Sequence, residues 1–342
     1  WQPEQLLLRK HALGKFGDML HAVSKDPAMI IYLNNQANVK DHPNENFARE
    51  VMELFSLGEG NYTEKDIKEA ARAFTGWTVN FKGEFELNKS KHDDGEKMVF
   101  GRKGNFGGED IINMILEKKE TARFVVGKVY REFVNPVLNT KRVEELADSF
   151  YKSGYDINLL MRAIFFSDWF YAAENMGVKI CSPVELLVRY KKLVPFEFKD
   201  PKALIELQQV MGQILFFPPN VAGWKGGTAW IDSASLLLRL NLPLRLLNGT
   251  GFDIAAKPAF EEKSEAQNQA KTAGVGITAN WSGLEGYFKA EPAAQLPEKL
   301  IAHFIQCDPK TINRRQLQAS PNGSTFRVTC AHLMSLPEFQ LI

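Results

Sequence analysis

The sequence predicts a mainly α fold: a multi-helix, bundle-like body carrying a small β-hairpin or flap around residues 77–107. Three observations predict it. Apolar residues recur at helical spacing along almost the whole chain. One Gly-rich segment alternates apolar and polar residues instead. Phe is abundant, 24 of 342 residues, enough for a large aromatic core.

The helical pattern covers about 3–24, 44–57, 63–75, 108–118, 120–134, 141–153, 156–167, 182–194, 201–214, 231–247, 296–307 and 322–336. Several of these carry start signals. His42-Pro43 or Asn44 opens the second, Thr63 caps the third, and Ser182-Pro183 places proline in a first helical turn. The break comes at "WTVNFKGEFELNKSKHDDGEKMVFGRKGNFGG". Val79, Phe81, Phe85 and Leu87 flank Lys82-Gly83 and predict a hairpin, with Met98-Val99-Phe100 as its third strand. A second irregular stretch, Gly249 to Ala279, is polar and reads as an exposed connection. The expected organisation is a main helical domain over 1–248 with the flap inserted, a connection over 249–279, and a C-terminal helical segment over 280–342 packed on the main body.

Composition narrows the function classes. The chain is 44% hydrophobic and 24% charged, with a formal net charge of +1. That balance gives no electrostatic footprint for nucleic acid or an anionic membrane. No apolar run approaches the roughly 18 to 20 residues of a membrane span. Cys181, Cys307 and Cys330 are too widely spaced for a zinc cluster. They read as three buried thiols, with a Cys307–Cys330 pair as the alternative. The sequence contains no G-x-S-x-G, no H-E-x-x-H and no phosphate loop. Its Gly-rich stretches lack the strand and helix that a dinucleotide site needs. No cofactor is expected.

"LGEGNYTEKDIKEA", residues 57 to 70, has the outward order of a calcium loop. With Gly60 at loop position 6, Asp66 falls at position 12 and Glu59 at 5. Positions 1 and 3 are then Phe55 and Leu57, which offer no side-chain oxygen to a hard cation. The stretch is instead the turn of an αα-hairpin. Gly58 suits the left-handed position after a helix, and Thr63 with Asp66 forms a capping box.

The preceding helix, "NENFAREVMELFSL", has two faces. At about 100° per residue, Phe47, Ala48, Val51, Met52, Leu54 and Phe55 share one. Asn46, Glu50 and Glu53 share the other, with Arg49 beside them. This second face is either a solvated surface or a carboxylate–amide cluster lining a cleft. His92, Asp93 and Lys97 in the flap form another polar group. The readings open there are an Asp94-Gly95 turn or a ligand site. A metal would need Glu50, Glu53, His92 and Asp93 together, because neighbours on one strand seldom face a single ion. "PPNVAGWKGGTAW" offers Trp224 and Trp230 either as a stacking platform or as a plug of the helical body, with Asn220 satisfying backbone groups.

The run "HPNENFAREVMELFSLGEGNYTEKDIKEAARAFTGW" resembles the signature of a large bacterial family known only as domain of unknown function eighteen hundred. "HDDGEKMVFG", "GNFGGEDIINMILEKKETARFVVGKVYREFV", "FFPPNVAGWKGGTAWI" and "LMSLPEFQ" resemble further elements of it, in the family's order. The resemblance spans nearly the whole chain. It implies a predominantly helical fold, and export to the periplasm or the cell exterior. It implies an N-terminal signal and a further helical region ahead of this chain, which therefore reads as N-terminally truncated. It also implies a neighbouring exported, sulfatase-like protein as partner. No activity and no catalytic residue is established for the family.

Three functions follow as expectations. The first is a binding or assembly component of the bacterial envelope. The second is a hydrolase of a glycan or envelope polymer, with catalytic carboxylates among Glu50, Glu53 and Asp93. Asp93 would be the better partner for Glu50, because residues three apart on one helix stand too close for the separations glycosidases use. The third is divalent-metal binding by Glu50, Glu53, His92 and Asp93. The residues expected to touch ligand are Asn46, Arg49, Arg72, Trp77, His92, Lys97, Asn220 and Trp224. Convergence of the flap on the helix 44–57 is the observation that separates these readings.

Overall fold

A computed structural model describes residues 2–249, 276–312 and 324–342. It contains fifteen α-helices and three two-stranded antiparallel sheets among those residues. The chain divides into two compact units, Trp1–Phe170 and Tyr171–Ile342. The division falls inside the 1–248 stretch expected as one domain. Its physical basis is that each side owns a closed set of buried residues: two apolar clusters lie before the division and one after it.

Unit 1 opens with α1 (Gln2–His11), α2 (Phe16–Ser24) and α3 (Pro27–Tyr32). The sequence predicts one helix over 3–24, but the chain turns at Gly14. There the backbone joins the loop before a later helix. Ile157 N–H donates to Gly14 O at 2.9 Å and Phe16 N–H to Tyr155 O at 2.8 Å. Helix α3 is a short element absent from the sequence reading. Its start is signalled locally by Asp26, whose side chain accepts from Ala28 N–H, and by Pro27 in the first turn.

The αα-hairpin is α4 (Asn46–Glu53) and α5 (Glu64–Ala73). Phe47, Ala48, Val51 and Met52 are buried on α4, as the spacing predicts. The flap follows. Strands β1 (Trp77–Val79) and β2 (Phe85–Leu87) pair as predicted around Lys82-Gly83. Residues 98–100 do not add a third strand to them. Strand β3 (Lys97–Val99) pairs with β4 (Arg102–Gly104) in a separate hairpin. Phe100 and Gly101 make its two-residue turn, both at positive φ, +51° and +76°. That is the twist which suits a tight hairpin.

Four helices complete the unit: α6 (Gly108–Leu116), α7 (Lys119–Phe133), α8 (Thr140–Lys152) and α9 (Ile157–Phe165). Trp77 is 3% exposed and lies in the core, not at a ligand surface. It meets Phe74 and Phe85 edge-on at 5.1 and 5.2 Å between ring centres. Gly108 begins α6 directly against this stack: a Cβ there would stand 2.5 Å from Trp77 Cζ2. Each large aromatic ring buried here contributes about 1.5–3 kcal/mol.

Unit 2 comprises α10 (Pro183–Leu193), β5 (Phe196–Phe198), α11 (Lys202–Val210), α12 (Ser233–Asn248), β6 (Ile277–Ala279), α13 (Ser282–Phe288), α14 (Leu296–Phe304) and α15 (Ser324–Met334). Ser182 and Glu185 form the capping box of α10, with Pro183 at its start. Strands β5 and β6 pair antiparallel, an element the sequence reading lacks. Most of the expected connection 249–279 lies outside the described residues, but its end does not. Ile277 is buried in the unit's core, which corrects the exposed assignment there. Tyr190 stacks on Phe339 at 5.4 Å and 12°. Cys181 and Cys330 are buried thiols, and Cys307 is half-buried. No helix among the described residues is long and apolar enough to cross a membrane.

Candidate functional site

The α4–α5 turn is built as its residues dictate. Gly58 adopts φ +77°, and a Cβ there would come 2.6 Å from Phe124 Cδ2. Glycine is the residue that avoids both the backbone strain and the clash. Thr63 caps α5: its hydroxyl oxygen accepts from Asp66 N–H at 3.2 Å, and Asp66 Oδ2 accepts from Thr63 N–H at 2.9 Å. Asp66 reaches further. Its Oδ1 accepts from Phe100 N–H at 2.7 Å, tying the cap to the β3–β4 turn. Phe100 is a bulky residue in the left-handed region, a conformation that costs about 1–3 kcal/mol. Lys118 packs its ammonium 4.4 Å from the Phe100 ring centre.

These contacts shape an open groove of about 610 Å³. Tyr62, Met98 and Phe100 give it apolar and aromatic walls, and Lys65 and Lys118 stand beside two carboxylates, Asp66 and Glu120. Gly60 and Gly101 line it without side chains, leaving the backbone open to an occupant. Sequence reasoning places a turn here and does not place a groove. The available signal is Phe100-Gly101, of which the sequence pattern assigns Phe100 to a strand.

The polar residues of α4 and of the flap form two separate networks. In the first, Arg49 holds both carboxylate oxygens of Glu64, at 2.9 and 2.7 Å, and Glu45 at 3.1 Å. Tyr62 donates its hydroxyl to Glu53. Asn46 donates to Leu33 O at 3.0 Å. Glu50 is half-buried, and among the described residues no hydrogen bond reaches its carboxylate. Burial, then the neighbouring Glu53, pushes its pKa above the usual carboxylate range, with Arg49 opposing.

In the second network Arg72 grips Asp93 with Nε and Nη2, at 2.7 and 3.3 Å, and Glu69 with Nη1 at 2.9 Å. Gly95 makes room for this: a Cβ there would stand 3.0 Å from Arg72 Nη2. Burial alone would raise the pKa of Asp93. The bonds from Arg72 and Gly95 N–H, with the charge of Arg72, hold it below the usual range instead. Lys97 is 1% exposed, and its ammonium donates to the carbonyls of Asp93 and Gly95. Burial lowers its pKa. His92 bonds through Nδ1 to Thr75 O at 2.7 Å.

No hydrogen bond or ion pair among the described residues joins the two networks. The structure brings Arg72, Asp93 and Lys97 into one network beside His92 and ties Asn46, Arg49 and Glu53 to other partners. Among the described residues, no three His, Cys, Asp or Glu side chains gather as a metal set. The flap network is a latch between α5 and the β3–β4 hairpin. Glu69 adds to it by accepting from Met98 N–H at 3.0 Å.

In unit 2, Asn220 is exposed and closes its own turn, accepting from Ala222 N–H at 3.0 Å. Trp224 is half-buried, while Trp230 is buried and plugs the loop. Leu215, Phe216 and Phe217 stand exposed ahead of them.

The class these features define is a mainly α protein of two compact units, with a latched β-flap and an aromatic groove of mixed charge beside a capped helical hairpin. The chain belongs to the family described as "Protein of unknown function (DUF1800)", whose model matches residues 1–341. No curated protein and no solved structure matches it.

Proposed function

We propose that the protein is an exported binding component of the bacterial envelope, and that the groove at the α4–α5 turn contacts an anionic envelope polymer. The observation that carries this reading is the groove's make-up: Tyr62, Met98 and Phe100 form its walls beside the cations Lys65 and Lys118, while its carboxylates Asp66 and Glu120 are engaged by Phe100 N–H and by Arg123. Such a surface pairs stacking and apolar burial with charge attraction, the combination an acidic polysaccharide requires. The state of the carboxylates adds support. Asp93 is neutralised by Arg72 and Glu53 is engaged by Tyr62, which suits structural duty. Export and an envelope location rest on the family resemblance of the sequence motifs.

The test is co-sedimentation of the purified protein with isolated cell-wall sacculi. We expect wild type to sediment, with affinity falling as salt rises. The double variant Lys65→Glu/Lys118→Glu, checked for an unchanged circular dichroism spectrum, should bind at least about tenfold more weakly. Equal sedimentation of the two proteins, or none by wild type, rejects the groove.

A hydrolase is the second reading, and Glu50 is the observation that favours it. A half-buried carboxyl with a raised pKa has the make-up of a general acid. Turnover of a defined glycan that disappears in Glu50→Gln would replace the binding reading with this one.

A further inference from the structure

The loop between α11 and α12 carries "GQILFFPPNVAGWKGGTAWI", residues 212 to 231, in which Lys225 is the single charged residue. Leu215, Phe216 and Phe217 are 47%, 48% and 72% exposed, and Val221 is exposed beyond them. Scattered apolar side chains on a surface are ordinary; three in succession on an uncharged loop mark a contact site.

The display is rigid. Phe217 N–H donates to Ile214 O at 3.0 Å, so Leu215 and Phe216 form the tip of a tight turn. Phe216 sits at φ +65°, a left-handed conformation that strains a bulky residue and persists only where the surroundings hold it. Two glutamines do the holding. Gln208 on α11 accepts from Leu215 N–H at 3.0 Å, and Gln213 accepts from Val184 N–H of α10 at 3.0 Å.

The backbone of the tip is prepared for a medium without water. An N–H that enters such a medium unpaired is costly. Leu215 and Phe217 have their N–H groups bonded within unit 2, and Pro218 and Pro219 have none. Further along, Ala222 and Gly223 donate to Asn220, each at 3.0 Å. A protein partner would instead find few free donors for the hydrogen bonds that interfaces carry. A second copy is also a poor fit. The four exposed side chains offer roughly 400 Å², against about 800 Å² per partner in a stable dimer. A bilayer needs neither shape complementarity nor free donors. Trp224 and Lys225 in the same loop are the residue types that settle at headgroup level.

We propose that the Leu215–Phe217 turn is a membrane-insertion loop, which seats unit 2 on a phospholipid bilayer with these three side chains in the headgroup–acyl boundary. The attachment is peripheral and apolar, so it requires neither a spanning helix nor a basic face. It does not rest on the groove reading in unit 1.

Flotation of the full chain with phosphatidylcholine vesicles tests this. Wild type should float with the vesicles and keep doing so at high salt, because the contact is not electrostatic. Leu215→Ser/Phe217→Ser, checked for an unchanged circular dichroism spectrum, should partition at least about tenfold more weakly. Phe217→Trp keeps the apolar surface and adds a reporter. On vesicles it should show more blue shift than wild type and more quenching by lipids brominated on their acyl chains. Wild type that stays in solution, a double variant that floats equally well, binding abolished by salt, or no added quenching in Phe217→Trp overturns the proposal. Self-association of wild type that the double variant loses, with no binding to vesicles, gives the loop to a second copy of the chain and overturns it too.

Discussion

At Glu50 the polar face of α4 departs from an ordinary solvated surface. Its neighbours are paired: Arg49 with Glu45 and Glu64, Glu53 with Tyr62. Glu50 is half-buried beside Glu53, with no donor to it among the described residues, so its charged form is disfavoured. Its raised pKa sets the sign of a pH effect. The folded state holds this proton more tightly than the unfolded chain, whose value is near 4.5. The contribution to stability is therefore complete below that value and is lost as pH rises through the folded pKa. Glu50→Gln, which carries no charge to desolvate, should unfold at higher denaturant than wild type at pH 7. The difference should vanish below about pH 4.5, as urea midpoints across the range will show. A midpoint at pH 7 that is unchanged or lower removes the burial account of this residue. Gly58 is a residue of the opposite kind: its positive φ and the nearby Phe124 ring fix its identity by local geometry.

The α5–flap latch is the energetic unit at the scale of elements. Arg72 on α5 neutralises Glu69 and Asp93, while the buried Lys97 ties down the loop between them. Arg72→Met keeps most of the side-chain volume and leaves two partly buried carboxylates without their cation. It should destabilise unit 1 by about 1–3 kcal/mol, measured by denaturant unfolding at pH 7. The loss should shrink in acid. Asp93 has its pKa lowered from 3.8, so the stability it provides is present above that value and disappears as pH falls through the folded one. An effect of the same size at pH 7 and in strong acid would assign the loss to packing instead. The sequence shows this network in part. Asp94-Gly95 reads as a turn and is one, but the pairing of Arg72 with a residue 21 positions on is not written in local spacing.

At the scale of the whole molecule, the two units each bury their own core. A protein of residues 1–170 expressed alone should keep a helical circular dichroism spectrum and melt in one cooperative transition. A fragment that is unfolded, or that melts without cooperativity, refutes the division. Helical content was legible because periodicity is local. Phe47, Val51 and Met52 declare a buried face, Thr63 and Asp66 declare a cap, and Lys82-Gly83 declares a hairpin. The burial of Arg239 was partly legible as well. It shares one stripe of α12 with Leu242 and Leu246, at spacings of three and seven, and that stripe is buried. The groove was not legible, because its walls come from a helix turn, a hairpin turn and the start of α7. Residues 60 to 120 meet there only after folding.

The sequence by itself determined most of the helices, the caps at Thr63 and Ser182, the αα-hairpin at Gly58 and the family, because each depends on neighbours a few residues apart. It also excluded a calcium loop, since Phe55 and Leu57 carry no oxygen ligand wherever the chain places them. Tertiary structure alone decided which charges meet. It joined Asp93 to Arg72, sank Trp77 into the core and left Arg239 Nε and Nη2 without a hydrogen-bond partner among the described residues. Desolvation and ion pairing depend on distances across the fold, and those are set by packing rather than by position along the chain.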